Sequence, residues 1–381
     1  MSTPVAGASV LCVVGARPNF MKIAPVIRAL KEAAPPIPAR LLHTGQHYDP
    51  EMNGQYFAAL GIPDPDINLE VGSASHAVQT AEIMRRFEPV LDRERPAAVL
   101  VVGDVNSTLA CALVAVKKGV AVIHVEAGLR SFDRGMPEEI NRVLTDQLSE
   151  LLYTTEGSAR ENLMREGIAA SRIHFVGNVM IDTLRHNLGQ ALPAAQTLSR
   201  HGGIEAWATS GFAVLTLHRP SNVDEPAMLR SLLTAIRDIS RRLPVVFPLH
   251  PRTRSKIEQH GLGALLGLGT VLQLPPLGYL EMLGLMRSAK LVLTDSGGIQ
   301  EETTALGVPC VTLRDNTERP ITAEQGTNTV VGQDPARILA VTEDILRTGG
   351  KAGRIPDLWD GQASQRIAAS LRQWLDSITP R

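Results

Sequence analysis

Short β-branched apolar runs alternate with longer stretches of helical period, and this alternation most constrains the fold. The runs read as strands at 9–15, 39–44, 98–102, 120–125 and 151–154, and again at 212–217, 245–249, 270–274, 291–294 and 309–313. They are apolar throughout instead of alternating, as strands buried on both faces are, so each series predicts a parallel sheet covered by helices. The fold class is therefore α/β, with two Rossmann-like domains. The 381 residues exceed what one hydrophobic core normally organises, which agrees with two units. The break falls near 177–188, where "HFVGNVMID" closes the first series, giving domains at 1–180 and 181–361. An amphipathic helix over 362–375 ends the chain. In paired sheets of this kind a ligand normally lies at the carboxyl edges, between the two.

Composition narrows the ligand. With 38 basic against 39 acidic residues, net charge is -1, so no basic field exists for nucleic acid or an anionic membrane, and any anion is gripped locally. The content of 44% hydrophobic and 20% charged residues is that of a globular protein with large cores. Cys12, Cys111 and Cys310 stand far apart in apolar runs, which reads as buried thiols without a zinc or redox site. No basic segment precedes a long apolar one at the start, so a cytoplasmic location is expected.

The strongest local signal is "KLVLTDSGGIQEE": a strand, a Gly-rich turn and a helix. Backbone N–H groups of Ser296, Gly297 and Gly298 would face outward at a positive helix end, a phosphate site without a lysine. Glu302, a turn further in, could take sugar hydroxyls. The alternative is a plain turn with Asp295 or Ser296 as N-cap. Neither a P-loop nor a GxGxxG fingerprint is present. After the first strand, "VVGARPNFMKIAP" instead places Arg17 and Lys22 at a helix start, suited to a phosphate or simply solvated. Asp104 ends "AAVLVVGD" and Glu126 ends "VAVIHVE", with Glu138 following in "RGMPEEINR". Three carboxylates converging on one sheet edge suit general acid–base work, although each alone is often an N-cap or salt-bridge partner. His218 and His250 end strands of the second series. Their spacing, and that of His43 and His47, matches no common metal motif, so no metal is expected.

At this point the chain resembles the non-hydrolysing UDP-N-acetylglucosamine 2-epimerases. The residues that carry the resemblance are "GARPNFMKIAP", "HTGQHYD", "VVGDVNSTLA", "HVEAGLRS", "PEEINR", "TLHRPSNVD", "LHPRT", "LTDSGGIQEE" and "RDNTERP", in family order over nearly the whole chain. The resemblance implies a glycosyltransferase-B-like architecture, with sheets facing across a cleft and the terminal segment 362–381 completing the first domain. It implies interconversion of UDP-GlcNAc and UDP-ManNAc through elimination of UDP to 2-acetamidoglucal and re-addition, without a redox cofactor, in a homodimer. Carried over by motif, Asp104, Glu126 and Glu138 are acid–base carboxylates, and His218 supports departure and return of UDP. Arg17 and Lys22 face the substrate, Ser296, Gly297 and Gly298 take the diphosphate, Glu302 the ribose, and Arg319 a further nucleotide contact.

The chain departs from the family pattern in places. Asn19 stands where many members have Glu, and His218, Arg219, Pro220 and Ser221 replace His-Arg-Arg-Glu. Gln46, His47, Arg219 and His250 match a site where a second UDP-GlcNAc acts as activator, but the Arg-Gln pair of that site is missing from "LEVGSASHAVQ". The alternatives are a 2-epimerase on another UDP-sugar, such as a 2,3-diacetamido glucuronate, a hydrolysing epimerase, a glycosyltransferase, and a non-catalytic nucleotide-sugar sensor.

Overall fold

The structure, a computed structural model, describes residues 9–46 and 61–378. The chain divides into two compact units, Met1–His186 with Asp357–Arg381, and Asn187–Pro356.

The first unit is built on a seven-stranded parallel sheet: β1 (Val10–Val14), β2 (Ala39–His43), β3 (Ile67–Asn68), β4 (Ala98–Val102), β5 (Ala121–Ala127), β6 (Leu151–Thr154) and β7 (Ile173–Phe175). Their spatial order is β3-β2-β1-β4-β5-β6-β7. β1 and β4 are buried along their whole length, and Leu11, Val13, Leu42, Val99 and Val101 pack against Ile83, Phe87 and Val114 of the covering helices. The second unit repeats the plan with β8 (Ala213–Thr216), β9 (Val245–Pro248), β10 (Val271–Leu274), β11 (Leu291–Thr294), β12 (Cys310–Thr312) and β13 (Asn328–Val330), in the order β10-β9-β8-β11-β12-β13. Leu215, Leu232, Ile236, Phe247, Leu293 and Val311 form its core. Both units are Rossmann-like.

In each sheet the strand order reverses once, between β1 and β4 and between β8 and β11. At such a switch point the loops leave neighbouring strands in opposite directions and open a crevice at the carboxyl edge. The motifs singled out above fall on these loops, with "GARPN" after β1, "GD" after β4, "HRPSN" after β8 and "DSGG" after β11.

Three short strands, β3, β7 and β13, have no counterpart in the sequence-based assignment. Two or three residues at or near a sheet edge carry no readable period. β5 is not over at Glu126: it runs to Ala127 through a register shift between Val125 and Ala127.

The last helix, Ala363–Ile378, packs on the helix Arg17–Glu32 within the first unit. Two anchors tie its lead-in. Trp359, wholly buried, donates its indole N–H to Thr155 O at 3.0 Å. Asp182 accepts from the N–H groups of Ala363 at 3.1 Å and Ser364 at 2.7 Å, so a side chain from another helix fills the capping role at this N-terminus. Asp182→Ala is expected to cost roughly 1–2 kcal/mol in urea unfolding, the scale of a lost N-cap; an unchanged midpoint would show that the cap contributes nothing.

Candidate active site

In the first unit the β1 loop is fixed by Asn19. Its Oδ1 accepts from the N–H groups of Gly15 at 3.2 Å and Ala16 at 3.1 Å, and its Nδ2 donates to Val102 O at 2.9 Å. The first part is what a Glu at this third helical position does in a capping box, which explains why Asn substitutes there. A carboxylate could not supply the donation to β4. Arg17 opens the helix, and its side chain lies outside the described set.

Lys22, one turn into that helix, is buried and pairs with Glu126 at 2.6 Å, the two side chains being 8% and 1% exposed. Glu126 takes a left-handed backbone, φ 74°, a conformation uncommon for a residue with a side chain and concentrated at functional positions. The bulge at Val125/Ala127 supplies it and turns the carboxylate toward Lys22. On the neighbouring strand end, Asp104 is half-buried and held by Arg142, whose Nε lies 3.2 Å from Oδ2 and whose Nη2 makes a closer contact. Two carboxylates therefore stand at adjacent strand ends, each with its own cation.

The pair Glu138 and Glu139 splits. Successive helical residues point about 100° apart, so only one can face inward. Glu139 is buried and structural: it accepts from the N–H groups of Ser131 and Phe132, both at 2.9 Å, and from Arg142. Burial pushes its carboxyl up, but these donors outweigh burial and hold it below the ordinary range. Glu138 is half-buried and, among the described residues, makes no side-chain hydrogen bond or ion pair. Arg142 escaped the sequence reading, although its spacing from both glutamates is the one that brings helix residues together.

In the second unit Asp295 is the hub. Wholly buried, it accepts from the N–H groups of His218 at 2.9 Å and Arg219 at 2.9 Å and from Asn222 Nδ2 at 3.1 Å, and it lies 2.8 Å from His218 Nδ1. Burial raises its carboxyl, yet the His218 ring and these N–H donors hold it below its ordinary value. Asp295 thus fastens the β8 loop to the β11 turn and is not an exposed N-cap. Ser296 caps the helix Gly297–Leu306 without a side-chain bond, and its own N–H already donates to Thr294 Oγ1 at 3.0 Å.

A charge cluster borders this helix end. Glu318 is ringed by Arg314 at 2.8 Å and Arg219 at 3.4 Å, and Arg319 Nε pairs with Glu301 at 2.8 Å. Burial favours the neutral Glu318 carboxyl, but the arginines hold it far below the usual range. A Cβ at Gly297 would meet Glu318 Oε1 at 2.6 Å, so a side chain there would have to displace that buried carboxylate. Glu302 is buried and accepts from the Tyr279 hydroxyl at 2.9 Å. Glu301 and Glu318 lie inside "LTDSGGIQEE" and "RDNTERP", but their roles, like that of Tyr279, are set by contacts that a string of residues does not display.

Of the residues matched to an activator site, His47 lies outside the described residues. Gln46 is buried, with its amide oxygen accepting from Ser107 N–H at 3.0 Å and Ser107 Oγ at 2.7 Å. In the other unit, His250 lies with its ring 5.6 Å from that of His218. Among the described residues no group of three or more His, Cys, Asp or Glu is arranged to hold a metal, and no helix is long and apolar enough to cross a membrane.

Comparison with known proteins supplies the chemical context. A family model described as UDP-N-acetylglucosamine 2-epimerase matches residues 28–372. The UDP-N-acetylglucosamine 2-epimerase of Methanococcus maripaludis is 43% identical over 339 residues, 88% of this chain and 91% of its own. The UDP-2,3-diacetamido-2,3-dideoxy-D-glucuronate 2-epimerase of Pseudomonas aeruginosa is 42% identical over 366 residues, 95% of this chain and 99% of its own. The crystal structure of Methanocaldococcus jannaschii UDP-GlcNAc 2-epimerase in complex with UDP-GlcNAc and UDP has a TM-score of 0.85 at 40% identity, covering 96% of this chain and 99% of that one.

Burial pushes Glu302 up to about 7 from its ordinary 4.5, with Tyr279 opposing and Glu301 adding to the rise. The folded protein therefore holds a proton there that the unfolded chain releases, and stability should fall as pH rises from 4.5 toward 7. In Glu302→Gln that decline should flatten, by on the order of 3 kcal/mol across the window, measured by urea unfolding from pH 4.5 to 8. An identical pH profile in the variant would contradict it.

Proposed function

Because the chain belongs to the UDP-N-acetylglucosamine 2-epimerase family, a family of isomerases, we propose that it interconverts UDP-GlcNAc and UDP-ManNAc without hydrolysis. The observation that carries this reading is the pair of carboxylates, Asp104 and Glu126, at neighbouring strand ends with Arg142 and Lys22 beside them.

Inversion at C2 removes a proton from one face of the sugar and returns one to the other, so no single fixed base can do both. One group takes the C2 proton, the C–H electron pair becomes the C1=C2 double bond, and the C1–O bond breaks with its electrons leaving on UDP. The glycal is then protonated at C2 from the opposite face while the UDP oxygen returns to C1. Atoms and electrons balance without an oxidant or water, and the reaction has no net redox change. Asp104, Glu126 and the less encumbered Glu138 are the proton-transfer candidates of the first unit.

The leaving group must be held more tightly as its charge grows, which preorganised donors achieve best. In the second unit the start of the helix Gly297–Leu306, with Arg219 near it, fits a diphosphate. His218, oriented by Asp295, suits a role at the departing oxygen, and buried Glu302 one of accepting from ribose hydroxyls. Arg319, already paired with Glu301, fits better as a support for that end than as a freely reaching ligand. A second UDP-GlcNAc as activator draws less support, since Gln46 is turned inward and spends its amide oxygen on Ser107.

A second reading, a 2-epimerase on a UDP-2,3-diacetamido glucuronate, is favoured by the Pseudomonas aeruginosa relative, as similar as the methanogen enzyme. A panel of UDP-sugars separates the two. With UDP-GlcNAc in heavy water, deuterium should enter C2 and the product remain a UDP-sugar; accumulation of free ManNAc would sink the non-hydrolysing reading. Asp104→Asn and Glu126→Gln should each slow this exchange by about 10²–10⁴-fold, the usual worth of a general acid or base, while UDP still binds. Full exchange in both variants would remove the two carboxylates from the mechanism.

A further inference from the structure

His124 lies in β5, wholly buried, two residues before Glu126. Both ring nitrogens face acceptors: Nδ1 is 2.6 Å from Asp146 Oδ1, and Nε2 is 2.8 Å from the carbonyl oxygen of Gly103. A carbonyl oxygen only accepts, so Nε2 carries a hydrogen. Asp146 accepts at Oδ2 from Gly128 N–H at 3.1 Å and lies 2.7 Å from Arg130 Nη1, donors that favour the ionised carboxylate. Opposite an ionised Asp146, Nδ1 donates as well. With the ring as an imidazolium, Arg130, which also pairs with Glu166 at 2.6 Å, completes a balance of two cations and two anions in this buried group.

The far end of the group lies where the chemistry is proposed. Gly103 has left β4, takes a left-handed φ of 67°, and immediately precedes Asp104. Its N–H donates to Val125 O at 3.1 Å, and a Cβ there would lie 2.8 Å from Lys22 Nζ. The helix Pro137–Leu148 reaches the same two residues three times: Asn141 donates to Asp104 O at 3.0 Å, Arg142 grips the Asp104 carboxylate, and Asp146 acts through His124 on the Gly103 carbonyl.

We propose that His124 is a positioning residue: its doubly protonated ring ties the helix Pro137–Leu148 to the Gly103 carbonyl and so fixes the placement of Asp104 and Glu126. This rests on the acid–base role given above to those carboxylates. A histidine serving only the fold would lower stability yet leave turnover of the folded enzyme unchanged.

The test uses the full-length protein with ¹⁵N-labelled histidine rings, the His124 signals being those missing from His124→Asn. Both nitrogens should show one-bond coupling to hydrogen at pH 7; a bare ring nitrogen would overturn the proposal. In the deuterium exchange assay, folded His124→Asn should lose about 100-fold in kcat, the scale of a small misplacement of catalytic groups, with KM and UDP affinity within about threefold. Asp146→Asn, which keeps the shape but not the charge, should show the same split, and it replaces His124→Asn if that variant does not fold. Wild-type kcat in a folded variant would overturn the proposal. Failure of the unaltered enzyme on every UDP-sugar would instead count against the epimerase reading, and the ring-nitrogen measurement would still decide the state of His124.

Discussion

The contact on which the chemistry proposed for the first unit depends is the buried pair Lys22–Glu126 at 2.6 Å. A carboxylate so far from water is tolerable only with a partner, and removing either member of such a pair typically costs about 3–5 kcal/mol. The pair joins the helix after β1 to the bulged end of β5 over the switch point, and it requires Glu126 to adopt a left-handed backbone. Asn19 holds the β1 loop to Val102, Arg142 holds Asp104, and His124 holds Gly103, so each neighbouring piece of backbone is fixed by a side chain from another element. This is the pattern expected where proton transfer demands placement within a fraction of an ångström.

The second unit solves a different problem with the same topology. Its switch point is closed by one buried carboxylate, Asp295, that collects N–H donors from the β8 loop and leaves the helix start after β11 bordered by arginines. The three arginines are kept together by two acids, Glu318 and Glu301, so the local charge is nearly balanced in the protein alone. An arriving diphosphate would meet oriented cations without bringing loose ones together, which lowers the reorganisation needed as charge develops.

The fold class was legible because it rests on continuous apolar runs whose length and spacing demand parallel strands. Strand-end residues followed from it: once β4 and β5 are adjacent, Asp104 and Glu126 must be neighbours. What could not be read were roles set by tertiary contact. Glu138 and Glu139 are equivalent in a string, and only the helix phase turns Glu139 into a structural acid. Asp295 reads as an N-cap but serves as an inter-loop tie. Tyr279 has nothing in its local context to distinguish it, and although Arg142, His124 and Glu318 sit inside "PEEINR", "HVEAGLRS" and "RDNTERP", their contacts with Asp104, Gly103 and Arg219 are set by the fold. Gln46 reads as a ligand by motif, and its contact with Ser107 is one that only the fold displays.

The central claim is that carboxylates of one unit move the C2 proton while the other unit retains UDP for its return. Supplying the purified enzyme with 2-acetamidoglucal and UDP, and following the nucleotide sugars by proton NMR, examines both halves at once. The account predicts that UDP-GlcNAc and UDP-ManNAc both form from these two components. Formation of neither, under conditions where the enzyme epimerises UDP-GlcNAc, would contradict it.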